Sequence, residues 1–175
     1  MLYAAEQRRA CFAETLAGFR RDLKLQVVLD SLPSGDAGDD TPESGIIPDD
    51  WHLKRAIASF RVVPGQHWLD LRAADVRERL RHTPELVRLF VAHGLTDFDL
   101  GDLLARDRSV TQGIAAWAWD NGYQGVLYTS RLDAAFDCWA LFDGARFEVE
   151  QIRTIPGDDP DLVAVATFFG LRRPV

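Results

Sequence analysis

The sequence predicts an α/β chain of the α+β kind, a single compact domain in which a small mixed sheet is flanked by helices. Three observations carry that expectation. Apolar residues recur at helical spacing near the N-terminus and again in the middle of the chain, short β-prone runs cluster around residues 58–71 and 126–155, and Gly or Pro punctuates the junctions. With 175 residues, 47% of them hydrophobic and 27% charged, the chain is long enough to bury a sizeable core as one domain over residues 1–175.

Met1 to Ala4 reads as the end of a strand. Phe12, Leu16, Phe19 and Leu23 then recur at helical spacing and predict one helix from about Glu6 to Leu23, with Ala10, Glu14, Ala17 and Arg21 on the opposite, narrow face. Residues 33–50 hold six acids and no Lys or Arg among Gly, Pro and Ser, the composition of a mobile acidic loop. Ala58 to Val63 and His67 to Leu71 follow as short strands around the turn Pro64-Gly65. Ala73 to His82 and Pro84 to His93 read as helices, with Pro84 in the first turn of the second. A short helix after Asp99 precedes a stronger one whose apolar face is Val110, Ile114, Trp117 and Ala118, stopped by Gly122. Val126 to Thr129, Cys138 to Phe142 and Phe147 to Ile155 read as strands, with Asp143-Gly144 as the turn between the last two, and a helical segment over about Asp161 to Leu171 closes the chain.

Charge and composition exclude several classes. A net charge of -7 and a pI near 5.0 argue against non-specific nucleic-acid binding, which needs a basic surface to displace counterions from phosphates. Cys11 and Cys138 belong to no metal-spaced cluster and read as reduced, buried thiols, which favours the cytoplasm. No apolar run approaches the length of a membrane span. The four histidines show no ligand spacing, and Asp97, Asp99 and Asp102 lack the glutamate that a calcium loop needs, so no metal is expected.

The chemistry-bearing residues lie in two distant segments. Tyr3 leads into the helix that carries Glu14, and Gly122-Tyr-Gln-Gly125-Val-Leu-Tyr-Thr-Ser130-Arg131 delivers a hydroxyl and a guanidinium at the exit of a strand. Read by themselves, Glu14 is a solvated acid opposite an apolar stripe or a partly buried carboxylate with a raised pKa, and Tyr3 is a core residue or a stacking platform. Ser130 has no adjacent His and no nucleophile elbow, so a hydrogen bond to a ligand or a capped turn suits it better than a nucleophilic role. Arg131 suits a phosphate, or a surface bridge to Asp133.

Tyr3, Glu14 eleven residues later, the Gly-Val-Leu-Tyr-x-Ser130-Arg131 run and Trp139-Ala-Leu-Phe142 together resemble the RES domain family, over most of the chain from Tyr3 to about Glu150. The resemblance implies a fold distantly similar to ADP-ribosyltransferases that binds NAD in a cleft, and a toxin of a bacterial toxin-antitoxin pair that degrades NAD. By that likeness Glu14 and Ser130 are catalytic, Tyr3 and Arg131 bind the dinucleotide, NAD is substrate, inorganic phosphate or water is the acceptor, and a cognate antitoxin is the partner. The family's arginine lies in a strand upstream of the tyrosine, before the first residue here, which reads as an N-terminally shortened relative; Cys138 also stands where many relatives carry asparagine. An NAD phosphorylase or glycohydrolase is therefore the leading expectation. An ADP-ribosyltransferase acting on a protein and a catalytically inactive binding module are its rivals, and the oligomeric state is left open.

Overall fold

Four short strands frame most of the candidate residues. In the computed structural model, which describes residues 1–31, 45–105 and 107–172, β1 (Leu2–Ala5), β3 (Trp68–Asp70), β4 (Gly125–Thr129) and β5 (Asp137–Leu141) form a mixed sheet in the order β1-β5-β4-β3. β5 runs antiparallel to both β1 and β4, whereas β3 and β4 are parallel. Parallel neighbours need a long crossover, and the chain supplies one through α3 (Ala74–Arg81), α4 (Pro84–Ala92), α5 (Leu100–Leu104) and α6 (Ser109–Asp120). β2 (Ala56–Val62) and β6 (Phe147–Thr154) make a separate two-stranded sheet, and α1 (Arg8–Leu16), α2 (Leu23–Ser31) and α7 (Pro160–Phe168) complete the described elements. Residues 32–44, most of the acidic loop expected over 33–50, lie outside the described residues.

The chain divides into two compact units, Met1–Ala10 with Phe60–Glu150, and Cys11–Ser59 with Gln151–Val175. In the first, Leu69 and Leu71 at the end of β3 and Val126 of β4 pack with Leu80, Leu86, Phe90 and Ile114 from the crossover helices. Local signals set those helices much as the sequence predicts. Pro84 starts α4, the carboxylates of Asp99 and Asp102 close a capping box on α5, and Gly122 adopts φ 78° just after α6. Trp117 packs partly buried beside Tyr123, while Trp119 is half-exposed against Phe142, so the two indoles divide between core and surface as their spacing requires.

Register sorts the sheet residues into two faces, because directly paired residues point the same way. Tyr3, Ala140, Val126 and Leu69 fall in line on the face that carries the helical core. Leu2, Leu141, Gly125 and Trp68 fall on the other. There Trp68 meets Trp139 edge-on, ring centroids 5.2 Å apart at 88°. Gly125 permits this packing: a Cβ at that position would come 2.5 Å from the Ala140 carbonyl oxygen and 2.7 Å from the Trp68 ring.

Two strand expectations are corrected. β2 and β3 do not flank a hairpin turn; β2 pairs with β6 and β3 with β4. The reason is visible at Gln66. Its side-chain amide donates to the carbonyls of Val63 and Arg146, both at 2.8 Å, and its oxygen accepts the Arg146 N–H at 2.6 Å. The Pro64-Gly65 bend is thus tied to the Asp143-Gly144 bend instead of closing on itself. The same arrangement sends β5 and β6, neighbours in sequence, to different sheets.

In the second unit the single helix expected over 6–23 is instead α1, a 3-10 turn at Ala17–Phe19 and a new helix, α2. Gly18 weakens helix propagation, Arg20 is extended at φ -62° and ψ 141°, and the Asp22 carboxylate accepts the Lys24 N–H at 2.8 Å to start α2. Leu23 accordingly leaves the apolar stripe and is 73% exposed. Ala10, expected on the narrow face, is buried along with Phe12, Ala13 and Leu16. Phe12 lies against Trp51 at 6.4 Å, and Arg55 stacks on the other ring system of that pair, 4.6 Å from the Trp51 centroid. Asp159 caps α7 through the amides of Asp161 and Leu162, and that helix buries Leu162, Val165 and Ala166.

Candidate functional site

The sheet topology brings three strand exits to one end. β1, β3 and β4 all finish where β5 begins, so Glu6, Leu71 and Ser130 follow their strands at the same edge as Phe136 and Asp137. Backbone hydrogen bonds bind these exits to one another. The Glu6 N–H donates to the Asp137 carbonyl at 3.1 Å, the Ser130 N–H to the Phe136 carbonyl at 2.8 Å and the Leu71 N–H to the Leu127 carbonyl at 2.9 Å. The Gln7 side chain adds a bond to the Ala135 carbonyl at 3.2 Å.

Tyr3 and Ser130 belong to one face of this sheet. Ala5, Cys138 and Tyr128 are in register on the same side as Tyr3 and Ala140, and the Ser130-Phe136 bond continues that ladder one step. That face carries small side chains, Ala5, Cys138 and Ala140, between two tyrosines, and Cys138 and Ala140 are buried. Tyr3 is 63% exposed, so it is not a core residue, and its ring and hydroxyl face solvent from an edge strand. Tyr128 stands in the quoted sequence motif, but only the strand pairing shows that it faces the same way as Tyr3.

Ser130 is only 2% exposed, and its Oγ accepts the Leu132 N–H at 3.0 Å, which makes it the anchor of the turn that follows β4. Arg131, one residue further, is exposed on that turn. Asp133, weighed as its surface partner, spends its carboxylate on the Ala135 N–H at 2.9 Å, while its carbonyl accepts from Phe136. Glu14 lies on α1, in the second unit, with its side chain exposed. Of the two readings of Glu14, the exposed acid holds and the partly buried carboxylate does not. Cys138 is buried and Cys11 half-buried, both as free thiols.

A group that the sequence did not single out sits at the end of β3. The Arg72 guanidinium grips Asp70 through Nε at 3.0 Å and Nη2 at 2.9 Å, and reaches Asp137 through Nη1 at 2.5 Å. Arg77 in turn donates from Nη1 to the carbonyls of Leu71 at 2.8 Å and Arg72 at 2.6 Å. The available signal was local: Asp70 and Arg72 flank Leu71 just after a β-prone run. The partner Asp137 was not legible, because it comes from a strand far along the chain. Hydrogen bonds from the Arg72 side chain and backbone hold the Asp70 carboxyl below its ordinary 3.8, against the opposing effect of partial burial. Asp70 and Asp137 in turn hold the guanidinium more firmly protonated.

A carboxyl whose folded-state pKa is depressed stabilises the fold above its unfolded value and loses that contribution as pH falls through the folded value. The window is therefore below about 3.8. Acid titration of stability, followed by circular dichroism, is expected to give Arg72→Ala an unfolding midpoint at higher pH than the parent chain; coincident midpoints would show that the pair contributes nothing to acid resistance.

Among the described residues no group of three or more His, Cys, Asp or Glu side chains is arranged to hold a metal ion, and no helix is long and apolar enough to cross a membrane. In comparisons with known proteins, no curated protein and no solved structure matches the chain. The family model described as RES domain matches residues 1–164, a span that includes Tyr3, Glu14, Ser130 and Arg131. That family consists of toxin-like enzymes that act on NAD and normally pair with an antitoxin. With nearly its whole length matched, the chain belongs to the RES domain family.

Proposed function

We propose that this chain breaks the nicotinamide-ribose bond of NAD, releasing nicotinamide and transferring the ADP-ribosyl group to phosphate or water. The observation that carries the reading is the family match across residues 1–164, which takes in all four of the residues that the resemblance assigns to the chemistry. Loss of nicotinamide leaves positive charge developing on the ribose, and a fixed carboxylate is the group that stabilises such a cation. Glu14 takes that role. Its side chain is exposed on α1.

Tyr3 stacks on or hydrogen-bonds the dinucleotide from the sheet edge, a use that suits a tyrosine left 63% exposed on a strand. Ser130, whose hydroxyl anchors its own turn, contributes a contact to ribose or phosphate. Arg131 supplies a planar cation for the diphosphate of NAD or for an incoming inorganic phosphate. No metal is invoked. A cognate antitoxin would keep the activity in check, and the protein's overall negative charge suits a partner with a basic patch.

The test is to incubate the purified chain with labelled NAD alone, with inorganic phosphate and with cell lysate, and to resolve the products by chromatography. Phosphorolysis yields nicotinamide and ADP-ribose phosphate, hydrolysis yields nicotinamide and ADP-ribose, and transfer to lysate protein leaves the label on polypeptide. Unchanged NAD under all three conditions would defeat the proposal in favour of an inactive binding module.

A further inference from the structure

We propose that Arg72 is a positioning residue for Ser130, joining the ends of β3 and β5 so that the turn carrying the hydroxyl is held still. The inference rests on the reading of Ser130 as an NAD contact given above. Its physical basis is the chain of bonds at the sheet end, all within the first unit. The guanidinium takes Asp70 bidentately from its own segment and Asp137 from the first residue of β5. Asp137 pairs directly with Thr129, the last residue of β4, and its carbonyl holds the start of the segment after β1 through Glu6 N–H. One residue further round the bend, Phe136 holds the Ser130 N–H, and Ser130 holds the Leu132 N–H.

The geometry separates this role from a generic surface ion pair. Asp70, Arg72 and Asp137 have side chains only 35%, 31% and 27% exposed, and the guanidinium satisfies two carboxylates from different strands at once. A planar fork can do this, whereas a lysine ammonium is a point charge on a flexible stem. Behind it, Arg77 fixes the backbone of Leu71 and Arg72, so the fork itself has a rigid mount. Asp70, Asp137 and Thr129 lie on the face of the sheet opposite Tyr3 and Tyr128. Arg72 therefore reaches the site through the backbone, from behind the surface that Tyr3 presents to a ligand.

Two measurements on the full chain test the proposal. The first needs no activity: amide hydrogen exchange is compared at Leu132, which donates to Ser130, and at Ile114 in the core, for the parent chain and for Arg72→Ala. Exchange at Leu132 is expected to rise about 10-fold more than at Ile114 in the variant, a local opening of the size that one lost charge-assisted bond gives. Equal factors at both amides, or no change at Leu132, would overturn the proposal. Where Arg72→Ala fails to fold, Arg72→Lys and Asp137→Asn are read the same way, and each is expected to loosen Leu132 selectively.

The second measurement is a double-mutant cycle on NAD consumption with Arg72→Ala, Ser130→Ala and the pair. A positioning role predicts a drop in kcat of about 10- to 100-fold for Arg72→Ala, the cost of misplacing a contact, and a double variant no worse than the weaker single one. Multiplying effects would mean that Arg72 acts independently of Ser130. If the parent chain consumes no NAD, it is the proposed function that fails, and the exchange comparison still decides the role of Arg72.

Discussion

Glu14→Gln is expected to remove NAD consumption while leaving the fold in place. Glutamine keeps the size and hydrogen-bonding reach of the side chain but lacks the negative charge that opposes the developing ribosyl cation, and loss of one such electrostatic group costs about 100- to 1,000-fold in kcat. The structural cost is small because Glu14 is exposed on α1, with Phe12, Ala13 and Leu16 carrying the burial of that helix. Surface substitutions of this kind shift stability by no more than about 0.5 kcal/mol. Nicotinamide release and a thermal melt, measured on the same preparation, check both halves. Activity within a few-fold of the parent would remove Glu14 from the chemistry, whatever became of the rest of the proposal.

Phe90→Ala is expected to be the most damaging substitution for the fold itself. Phe90 is 5% exposed in α4, stacked on Phe98 with ring centroids 4.4 Å apart and planes 11° from parallel, and it packs in the same core cluster as Leu69 and Ile114. Removing a buried phenyl group costs about 3–5 kcal/mol in lost transfer energy and residual cavity, with the ring pair adding to the loss. Against a typical total stability of about 5–15 kcal/mol, this leaves little reserve. The control is Phe168→Ala, which truncates a ring that is 74% exposed and is expected to change stability by less than about 0.5 kcal/mol. Urea denaturation separates the two; comparable midpoints for both variants would contradict the placement of Phe90 in the core.

Half of the Arg72 constellation was within reach of the sequence and half was not. An acid and a base two residues apart at the end of a β-prone run, Asp70 and Arg72, form a local pattern. Their link to Asp137 depends on β4 lying between β3 and β5, which is a statement about sheet order. Ser130 shows the same division. Its position past a strand was readable, whereas its near-complete burial and its bond to Leu132 came from the course of the turn in space. Glu14 ran the other way. The sequence left a solvated acid and a partly buried carboxylate both open, and the fold buries Ala10 while leaving Glu14 exposed.

By itself the sequence determined the elements whose causes are local: α4 begun by Pro84, α5 begun after Asp99, α6 stopped at Gly122, and the bend at Asp143-Gly144. It also determined the family, because Tyr3, Glu14 and the run ending in Ser130-Arg131 keep their spacing however the chain folds. Tertiary structure alone decided that β2 pairs with β6 and β3 with β4, that Leu23 leaves the helical stripe for solvent, and that Arg72 spans two strands. Helix signals act over neighbours a turn away, within the sequence itself. Strand pairing and ion pairing join residues whose separation along the chain carries no trace of their separation in space.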